Sequence, residues 1–482
     1  MLRRTKIVAT LGPATDSVES LEAIIKAGVD VVRLNFSHGE SEDHIQRAQR
    51  VRDIASKLGR YVAVLADLQG PKIRIARFEN DKIKLNVGDS FALDTRLGVS
   101  EGNQEAVNID HEIVIKDTKP DDILLLDDGR VELLVKSNDG VRIDCEVLIG
   151  GVLSNNKGIN KKGGGLSAKA LTDKDKSDIK VAAKFDADYV AVSFPRDADD
   201  MNEARALLKE ANSNAGLIAK IERAELVADN DMLDEVIRVS NGVMVARGDL
   251  AVEVGDAELV AIQKHIIARA RALNRVVITA TQMMESMITS PMPTRAEVSD
   301  VANAVIDGTD AVMLSAETAV GEYPVEVIEA MDRICLGAER SPTTQVSKHR
   351  INESFEKIDE SIALSAMYAA NHLQGVTAIL SMTETGATPL LMSRIHSKMP
   401  IFSFSAQVQT QRRVALYRGV QTVPFDAAEV ENKDVNSFAI NTLLEQKVVK
   451  EGDLVILTKG DYVKAQSGTN TMKILRVGDE IH

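Results

Sequence analysis

The stretch that decides the fold reads Gly242-Val243-Met244-Val245-Ala246-Arg247-Gly248-Asp249-Leu250. Its run of four apolar residues, rich in valine, is typical of a short strand buried on both faces. Arg247, Gly248 and Asp249 follow, and we predict a loop that places a cation, a bare backbone and a carboxylate at the strand's carboxyl end. In a parallel α/β barrel that end carries the functional residues. The alternative is a structural loop with an Arg–Asp pair at the surface.

The same pattern, a short apolar strand followed by polar residues, recurs along the chain. Eight strands are predicted, at Lys6–Leu11, Val29–Leu34, Tyr61–Ala66, Tyr189–Ser193, Leu217–Ile221, Val243–Ala246, Val276–Thr279 and Ala311–Leu314. Helices are predicted between them, the first capped by Ser17 and ending before Gly28, the second from about Ser41 to Leu58. Strands that alternate with helices form a parallel sheet, and eight such units predict a (β/α)8 TIM barrel.

From about Ile73 to Ser167 the pattern changes to short alternating segments separated by turns, with no helix-length periodicity. This predicts an antiparallel β domain inserted between two barrel strands. The run Gly163-Gly164-Gly165 near its end matches neither of the common phosphate-binding loops, so we interpret it as a linker rather than a phosphate cradle.

Beyond Arg340 the turn Ser341-Pro342 marks a further boundary, followed by an open α/β domain. Its predicted elements are a helix near Ile362–Asn371, strands at Ala378–Met382, Ile401–Ser405, Gln421–Pro424 and Leu454–Thr458, and an edge strand within Thr471–Val477. We therefore expect three domains. They are residues 1–70 plus 168–340, the barrel; residues 71–167, an inserted β-barrel lid; and residues 341–482, a C-terminal α/β domain.

Composition narrows the function classes. The chain has 482 residues and a net charge of −14, which disfavours nucleic acid or an anionic membrane as a partner. It has two cysteines and no apolar run long enough for a membrane helix or a secretion signal. A cytoplasmic protein is expected.

Polar residues of a limited kind follow most of the barrel strands. They are Arg33, Asn35 and Ser37; Asp67; Lys220 and Glu222; Arg247 and Asp249; Thr281 and Gln282; Ser315 and Glu317. Because these strand ends converge on one barrel face, we predict a site there. Lys220 and Glu222 lie two apart on a strand and share a face, so a Lys–Glu pair that fills the barrel is the structural alternative.

Glu222 and Asp249 come from neighbouring strands and can supply two carboxylates to one Mg²⁺. Zinc is disfavoured because no Cys or His ligand spacing is present. Arg33 and Arg74 are candidate phosphate or carboxylate clamps, or else surface ion pairs, and Asn35 with Ser37 can equally be turn formers. Such a set suggests phosphoryl or enolate chemistry.

Several long motifs resemble those of the pyruvate kinase family, in particular its bacterial type II branch. They are Lys6-Ile7-Val8-Ala9-Thr10-Leu11-Gly12-Pro13, Arg33-Leu34-Asn35-Phe36-Ser37-His38-Gly39, the stretch from Met244 to Glu253, Thr281-Gln282-Met283-Met284-Glu285-Ser286-Met287, and Pro293-Thr294-Arg295-Ala296-Glu297. The resemblance covers nearly the whole chain. It implies phosphoryl transfer from phosphoenolpyruvate to ADP, giving pyruvate and ATP in the last step of glycolysis, and it suggests a homotetramer.

The resemblance also implies roles for individual residues. Glu222 and Asp249 match ligands of Mg²⁺, with Mn²⁺ as a substitute, and Lys220 matches the lysine that offsets charge on the moving phosphoryl group. The remaining matches are Arg33 for the phosphoryl group; Gly248, Asp249 and Thr281 for the substrate carboxylate; Asn35, His38, Arg74, Lys157 and the lid's Asp128 for the nucleotide; and Ser315 with Glu317 for passing a proton to the enolate. Arg247 is expected to hold its loop in shape rather than to act in catalysis.

The chain departs from the family pattern at the monovalent-cation site. Many members bind K⁺ with Asn, Ser, Asp and Thr, and carry a Glu four residues after that Thr. Asn35, Ser37 and Asp67 are kept here, but the last two positions are Leu68 and Lys72. Leu68 has no side-chain oxygen, and Lys72 brings an ammonium that can stand in for K⁺. We therefore predict that K⁺ is not required.

A second point concerns regulation. The loop Thr383-Glu384-Thr385-Gly386-Ala387-Thr388 joins a strand to a helix start and lies where the resemblance implies an allosteric sugar-phosphate site. Simple helix capping is the alternative. Glu384 is negative and the loop has no Lys or Arg, which favours a sugar monophosphate or AMP over a bisphosphate.

Two other functions stay open at this point. One is a barrel lyase or aldolase that makes a pyruvate enolate on Mg²⁺ without a nucleotide, which the inserted lid, Arg74 and Lys157 disfavour. The other is a phosphometabolite-binding regulator without activity, which the retention of Lys220 and Thr281 disfavours.

Overall fold

The structure is a computed structural model that describes residues 2–345, 350–425, 435–460 and 468–479. Its first part alternates strands and helices as predicted, with β1 (Lys6–Thr10), α1 (Val18–Ala27), β2 (Val31–Asn35), α2 (Ser41–Lys57) and β3 (Ala63–Asp67). Ser17 caps α1 by accepting from the Ser20 amide at 3.0 Å, and Gly28, at φ +126°, ends it. The predicted signals at both ends of α1 are therefore confirmed.

The inserted region folds separately, and we call it the lid. It contains β4 (Lys82–Leu85), β5 (Ser90–Asp94), β6 (Ala106–Val107), α3 (Ile113–Asp117), β7 (Ile123–Leu126), β8 (Val131–Asn138), β9 (Arg142–Ile149), β10 (Gly151–Ser154) and β11 (Ile159–Lys161). One sheet has the order β11-β7-β8-β9-β5-β6 and is antiparallel except for β5 beside β6, and β10 pairs with β4. The predicted antiparallel insertion is confirmed, and the short helix α3 is the element that the sequence pattern did not indicate.

The βα alternation then resumes. The strands are β12 (Tyr189–Val192), β13 (Gly216–Ile221), β14 (Gly242–Ala246), β15 (Val276–Ala280) and β16 (Ala311–Leu314). The helices are α4 (Asp173–Lys184), α5 (Ala198–Glu210), α6 (Ala224–Ala228), α7 (Asn230–Val239), α8 (Arg247–Val254), α9 (Asp256–Ala272), α10 (Arg295–Asp307), α11 (Ala316–Ala319) and α12 (Pro324–Ala338).

Within residues 2–345 eight parallel strands close into a barrel in the order β1-β16-β15-β14-β13-β12-β3-β2, so the predicted TIM barrel is confirmed. Strands β1, β3, β14 and β15 are buried at every position, as expected where helices cover the outside and side chains fill the inside.

One local prediction was wrong. Arg247, Gly248 and Asp249 do not form a loop but open helix α8, which follows β14 directly. Asp249 lies in the first helical turn, where a carboxylate interacts favourably with the amino-terminal end of the helix dipole.

The C-terminal domain is an open α/β sheet, as predicted. It contains α13 (Ile358–His372), β17 (Val376–Met382), α14 (Ala387–Ser393), β18 (Ile401–Ser405), α15 (Val408–Arg413), β19 (Val420–Pro424), α16 (Val435–Glu445), β20 (Leu454–Lys459) and β21 (Thr471–Arg476). The strand order is β19-β18-β17-β20-β21, and β21 is the predicted edge strand, antiparallel to β20. No helix in the described part of the chain is both long and apolar enough to span a bilayer.

Candidate active site

A cleft of about 220 Å³ lies between the carboxyl ends of the barrel strands and the lid. Barrel residues Phe194, Arg223, Asp249 and Glu253 line one side. The other side includes lid and hinge residues, among them Lys72, Arg74, Asp128 and Lys157. The cleft therefore brings predicted residues of both domains to one place.

The centre of the site is Lys220, at the end of β13. Its Nζ lies 2.9 Å from Oε1 of Glu222 and 3.4 Å from Oδ1 of Asp67, and it donates to the Ser193 hydroxyl at 2.7 Å. Burial opposes its charge, but the carboxylates of Asp67 and Glu222 outweigh burial and raise the pKa of the ammonium. The Lys–Glu pair of the structural alternative is thus present. It lies at the open end of the barrel, however, with 12% of the Lys220 side chain exposed.

Arg33 and Asp67 form the second ion pair. Arg33 donates from Nε to Oδ2 of Asp67 at 2.6 Å and from a terminal nitrogen to the Thr10 hydroxyl at 3.1 Å. Burial raises the pKa of Asp67, but Arg33 and Lys220 more than offset it, so the pKa lies below its usual value. Because Asp67 is 1% exposed, this pair is not the surface ion pair of the alternative interpretation.

Two carboxylates here carry an unfavourable charge. Burial, with repulsion from Asp249, raises the pKa of Glu222 to about 7 despite the neighbouring Lys220. Burial also raises the pKa of Asp249, and Asp128 adds repulsion. Oε1 of Glu222 accepts no hydrogen bond of acceptable geometry. A divalent cation beside both carboxylates would relieve these penalties, so the donor set fits one.

The nature of that cation follows from the donors. The described residues contain no group of three His, Cys, Asp or Glu side chains suited to a metal. Mg²⁺ and Mn²⁺ accept one or two protein carboxylates and fill their remaining positions with substrate oxygens and water. Glu222 and Asp249 fit such a cation better than they fit zinc.

The ends of β14 and β15 are joined by Arg247, which is 6% exposed. It donates to the carbonyls of Ala280 and Thr281, at 3.1 and 2.6 Å, and forms an ion pair with Asp300 at 2.7 Å. The Thr281 hydroxyl accepts from the Gly248 amide at 2.8 Å. Thr281 and Gln282 adopt φ values of +68° and +54°. A β-branched residue in that region is strained, which is common where function requires a particular geometry.

Comparison with known proteins gives the family. The model for the pyruvate kinase barrel domain matches residues 2–328, and the model for the pyruvate kinase alpha/beta domain matches residues 360–475. The chain belongs to the pyruvate kinase family. The resemblance inferred from the motifs, and the enzyme class that it implied, are confirmed.

Individual pyruvate kinases are similar over almost the whole chain. Pyruvate kinase II of Salmonella typhimurium is 59% identical over 476 residues, which is 99% of both chains. A pyruvate kinase of Haemophilus influenzae is 57% identical over the same share. The crystal structure of a pyruvate kinase from Cryptosporidium parvum superposes with a TM-score of 0.91 at 33% identity, covering 98% of this chain and 96% of that one.

At the end of β16 the two residues predicted to move a proton are not bonded to each other through their side chains. Glu317 is 2% exposed and accepts from the amides of Met284 at 3.2 Å and Ser315 at 2.6 Å. The Ser315 hydroxyl has no hydrogen-bond partner among the described residues.

The residues predicted to contact a nucleotide come from the barrel and the lid. Burial, then Lys72, Arg33 and Arg74, lower the pKa of His38, so these cations lie near the imidazole. Lys157 pairs with Asp127 at 2.7 Å in a lid turn where Asp127 and Asp128 have φ values of +51° and +56°. Elsewhere, Oδ1 of Asn35 accepts from the Ser37 amide at 3.1 Å, which is the bond that the turn-forming alternative requires.

Leu68 and Lys72, the two positions that depart from the family's monovalent-cation site, differ in their surroundings. Leu68 is 1% exposed and offers no side-chain oxygen. Burial and Arg74 lower the pKa of Lys72, while Asp249 raises it. Lys72 forms no ion pair within 4.0 Å among the side chains that the structure describes.

The loop Thr383–Thr388 joins β17 to α14 through Gly386, at φ +81°. The Thr383 hydroxyl accepts from the Gly386 amide at 2.9 Å, and the Thr410 hydroxyl of α15 donates to the Glu384 carbonyl at 2.5 Å. These bonds order the loop, but the N-cap residue Gly386 has no side chain to cap α14, and the effector assignment stays a prediction.

Sequence reasoning missed Ser193 and Phe194 at the end of β12, and Thr10 at the end of β1. Ser193 contacts Lys220, and the Phe194 amide donates to Oε2 of Glu222 at 2.8 Å. A polar residue at a strand end was the signal used elsewhere on the barrel, and it was also present at Ser193 and Thr10.

Proposed function

We propose that this member of the pyruvate kinase family transfers a phosphoryl group from phosphoenolpyruvate to ADP, giving pyruvate and ATP in the last step of glycolysis. The observation that carries the proposal is the Lys220 ammonium, which lies between Asp67 and Glu222 at the carboxyl end of the barrel strands. A fixed cation there stabilises negative charge on the phosphoryl group as it moves.

The substrate lies along the ends of β2, β14 and β15. The Arg33 guanidinium faces the phosphoryl oxygens, and its bond to Asp67 keeps its orientation fixed. The substrate carboxylate lies against the Gly248–Asp249 backbone at the start of α8 and against Thr281, whose hydroxyl already bonds the Gly248 amide. These groups hold phosphoenolpyruvate in line with the acceptor.

Glu222 and Asp249 would hold Mg²⁺, or Mn²⁺ in its place. Such an ion, when bound, supplies a Lewis acid for the phosphoryl and enolate oxygens. The two carboxylates orient it, and the Phe194 amide holds Glu222 for this role.

The nucleotide occupies the lid side of the cleft. Asn35, His38, Arg74 and Lys157 supply its contacts, with Asp128 facing the metal–nucleotide complex. Closure of the lid excludes water, so ADP rather than water accepts the phosphoryl group. Ser315 and Glu317 then pass a proton to the enolate carbon, a step that requires the free Ser315 hydroxyl to turn towards the substrate.

A coupled assay tests the reaction. Phosphoenolpyruvate, ADP and Mg²⁺ should yield pyruvate only when ADP is present. Pyruvate and phosphate formed without a nucleotide would mean that water accepts the phosphoryl group and would contradict the proposal. No turnover of phosphoenolpyruvate would leave the lyase-type alternative or a binding protein.

Independence from K⁺ is supported by Leu68, which offers no side-chain oxygen, and by Lys72, which brings an ammonium to the cleft. The double variant Leu68→Thr with Lys72→Glu restores the two residue types that K⁺-binding members carry. It should require K⁺ for full activity, whereas the parent should not. A parent rate that falls by orders of magnitude in tetramethylammonium buffer would overturn the proposal.

The loop Thr383–Thr388 is proposed to bind a sugar monophosphate or AMP. Support comes from its place between β17 and α14, and from Glu384, which disfavours a second phosphate. Glucose 6-phosphate, ribose 5-phosphate and AMP should activate more strongly than fructose 1,6-bisphosphate. The reverse order would exclude this assignment.

We further propose a homotetramer, on the strength of family membership. Light scattering at working concentration tests it, and a monomer mass would contradict it.

A further inference from the structure

The carboxyl end of β12 lies beside both charged groups of the site. Ser193 is 1% exposed. Its hydroxyl accepts from the Lys220 ammonium at 2.7 Å and donates to the Leu68 carbonyl at 2.7 Å. Because the hydroxyl's single hydrogen is donated to the Leu68 carbonyl, its lone pairs are left to accept from the ammonium. The Lys220 ammonium is therefore oriented by three contacts, the Ser193 hydroxyl and the two carboxylates.

The next residue holds the carboxylate. Phe194 has φ +53°, a region that bulky side chains rarely adopt. In this conformation its amide donates to Oε2 of Glu222 at 2.8 Å, and its carbonyl accepts from Nε of Arg223 at 2.9 Å. The Arg223 guanidinium also lies 5.9 Å from the centre of the Phe194 ring. The strained backbone thus has an identifiable consequence, because it aims an N–H at Glu222.

The surroundings leave this dipeptide little freedom. Gly70 packs so closely that a Cβ there would lie 2.7 Å from the Cβ of Ser193 and 3.2 Å from the Phe194 ring. Gly70 itself has φ +69°, and its amide bonds to Asp175 at 3.1 Å. The segment that leads from β3 into the lid is therefore packed directly against Ser193 and Phe194.

We propose that Ser193 and Phe194 are positioning residues for phosphoryl transfer. Ser193 orients the Lys220 ammonium, the left-handed backbone of Phe194 orients the Glu222 carboxylate, and their adjacency fixes the two charged groups relative to each other. This inference rests on the proposed function. The competing interpretation is that Ser193 is a satisfied core hydroxyl and Phe194 a packing residue.

The first test compares Ser193→Ala with Ser240→Ala. Ser240 is a suitable control because it is 2% exposed, donates to a main-chain carbonyl at 2.7 Å and lies at the opposite end of the barrel. Losing a hydrogen bond to a charged group should lower kcat about 10- to 100-fold in Ser193→Ala. The KM for ADP and the melting temperature should change only as much as in Ser240→Ala. Equal kcat values in the two variants would overturn the role of Ser193.

The second test needs no turnover. Phe194→Gly keeps the left-handed conformation without strain, whereas Phe194→Val makes it costlier. Mn²⁺ binding, measured by electron paramagnetic resonance with Mn²⁺ alone, should be retained in the glycine variant and weakened about tenfold in the valine variant. Equal Mn²⁺ affinities would refute the role of the Phe194 backbone. If the valine variant does not fold, Phe194→Ala, which also disfavours the left-handed conformation relative to glycine, takes its place in the comparison. A wild-type protein that binds Mn²⁺ but makes no ATP would instead refute the proposed function.

Discussion

The two ends of the barrel use the same charged residue types in different ways. At the amino end, where the barrel meets the C-terminal domain, Asp310 pairs through both oxygens with Arg394. Its oxygens also accept from the amides of Val277 at 2.9 Å and Arg418 at 3.0 Å. Asp310 and Arg394 are each 1% exposed. Each carboxylate oxygen of Asp310 therefore has two hydrogen-bond donors.

Glu339 at the same end also accepts a hydrogen bond at each carboxylate oxygen. Its Oε1 accepts from the Thr5 amide at 2.6 Å and the Thr5 hydroxyl at 2.8 Å, and both oxygens accept from the Arg4 amide at 3.0 Å. At the carboxyl end, by contrast, Oδ1 of Asp67 and Oε1 of Glu222 accept no well-formed hydrogen bond.

This difference separates buried carboxylates that stabilise the fold from those that form a site. A carboxylate whose oxygens are fully bonded contributes to structure, and breaking it destabilises the fold. A buried carboxylate oxygen that accepts no well-formed hydrogen bond, beside left-handed residues such as Phe194 and Thr281, marks a site where a ligand completes the bonding. The following predictions test that contrast.

The largest effect is expected for Lys220→Met. Removing the cation that we propose faces the phosphoryl group should lower kcat about 1000-fold. The unfolding midpoint should change little, because Arg33 still pairs with Asp67 and the Glu222 carboxyl, whose pKa is about 7, takes up a proton. Steady-state kinetics and urea unfolding measure both. Retention of most activity would refute the role of Lys220.

Arg394→Met should show the opposite pattern. It leaves Asp310 buried without its cation, which should cost about 3–5 kcal/mol in the free energy of unfolding. The kcat of the folded protein should stay close to that of the parent. An unchanged free energy of unfolding together with a large fall in kcat would contradict a purely structural role for the ion pair at the amino end.

Arg247→Met tests a residue that lies between these extremes. The carbonyls of Ala280 and Thr281 lose their donor, so the Thr281–Gly248 contact loosens. The KM for phosphoenolpyruvate should rise about tenfold, with a smaller change in kcat. Lys264→Met, which breaks an exposed ion pair with Asp307, is the matched control and should leave KM unchanged. An unchanged KM in Arg247→Met as well would show that Arg247 is only structural.

The smallest effect concerns pH at the amino end. Burial, with Arg271 and Arg418 nearby, lowers the pKa of His396 to about 2, so the folded protein keeps this ring neutral. In the unfolded chain the His396 ring has its ordinary pKa of about 6.5 and binds a proton below that pH. Because the folded protein cannot bind this proton, the stability contributed by the neutral ring is fully present above about pH 6.5 and is lost as the pH falls below it. Relative to His396→Asn, the parent should lose about 1.4 kcal/mol of unfolding free energy between pH 8 and about 5.5. Parallel pH curves for the two proteins would contradict this.

The sequence predicted the elements that depend on local pattern. Eight barrel strands followed from short apolar runs, and the lid followed from alternation and turn residues. Of the residues that line the cleft, the polar strand ends predicted Asp249, and the family resemblance added Lys72, Arg74, Asp128 and Lys157. The open end of the barrel was therefore located before any contact was known.

Features that depend on distant contacts could not be predicted. Helix α8 begins at Arg247 because that side chain is anchored by carbonyls of β15 and its loop, more than thirty residues further on. The roles of Ser193 and Phe194 require Lys220 and Glu222 to lie beside them, which only the closed barrel brings about. The left-handed conformation of Thr281 likewise has no local signal, since threonine normally avoids it.

The most direct test of the account is the amount of ATP formed for each pyruvate, with phosphoenolpyruvate, ADP and Mg²⁺ in a buffer whose sole monovalent cation is tetramethylammonium. We predict equal amounts of ATP and pyruvate, at a rate similar to that in K⁺ buffer. Pyruvate without ATP, or ATP that forms only after K⁺ is added, would contradict it.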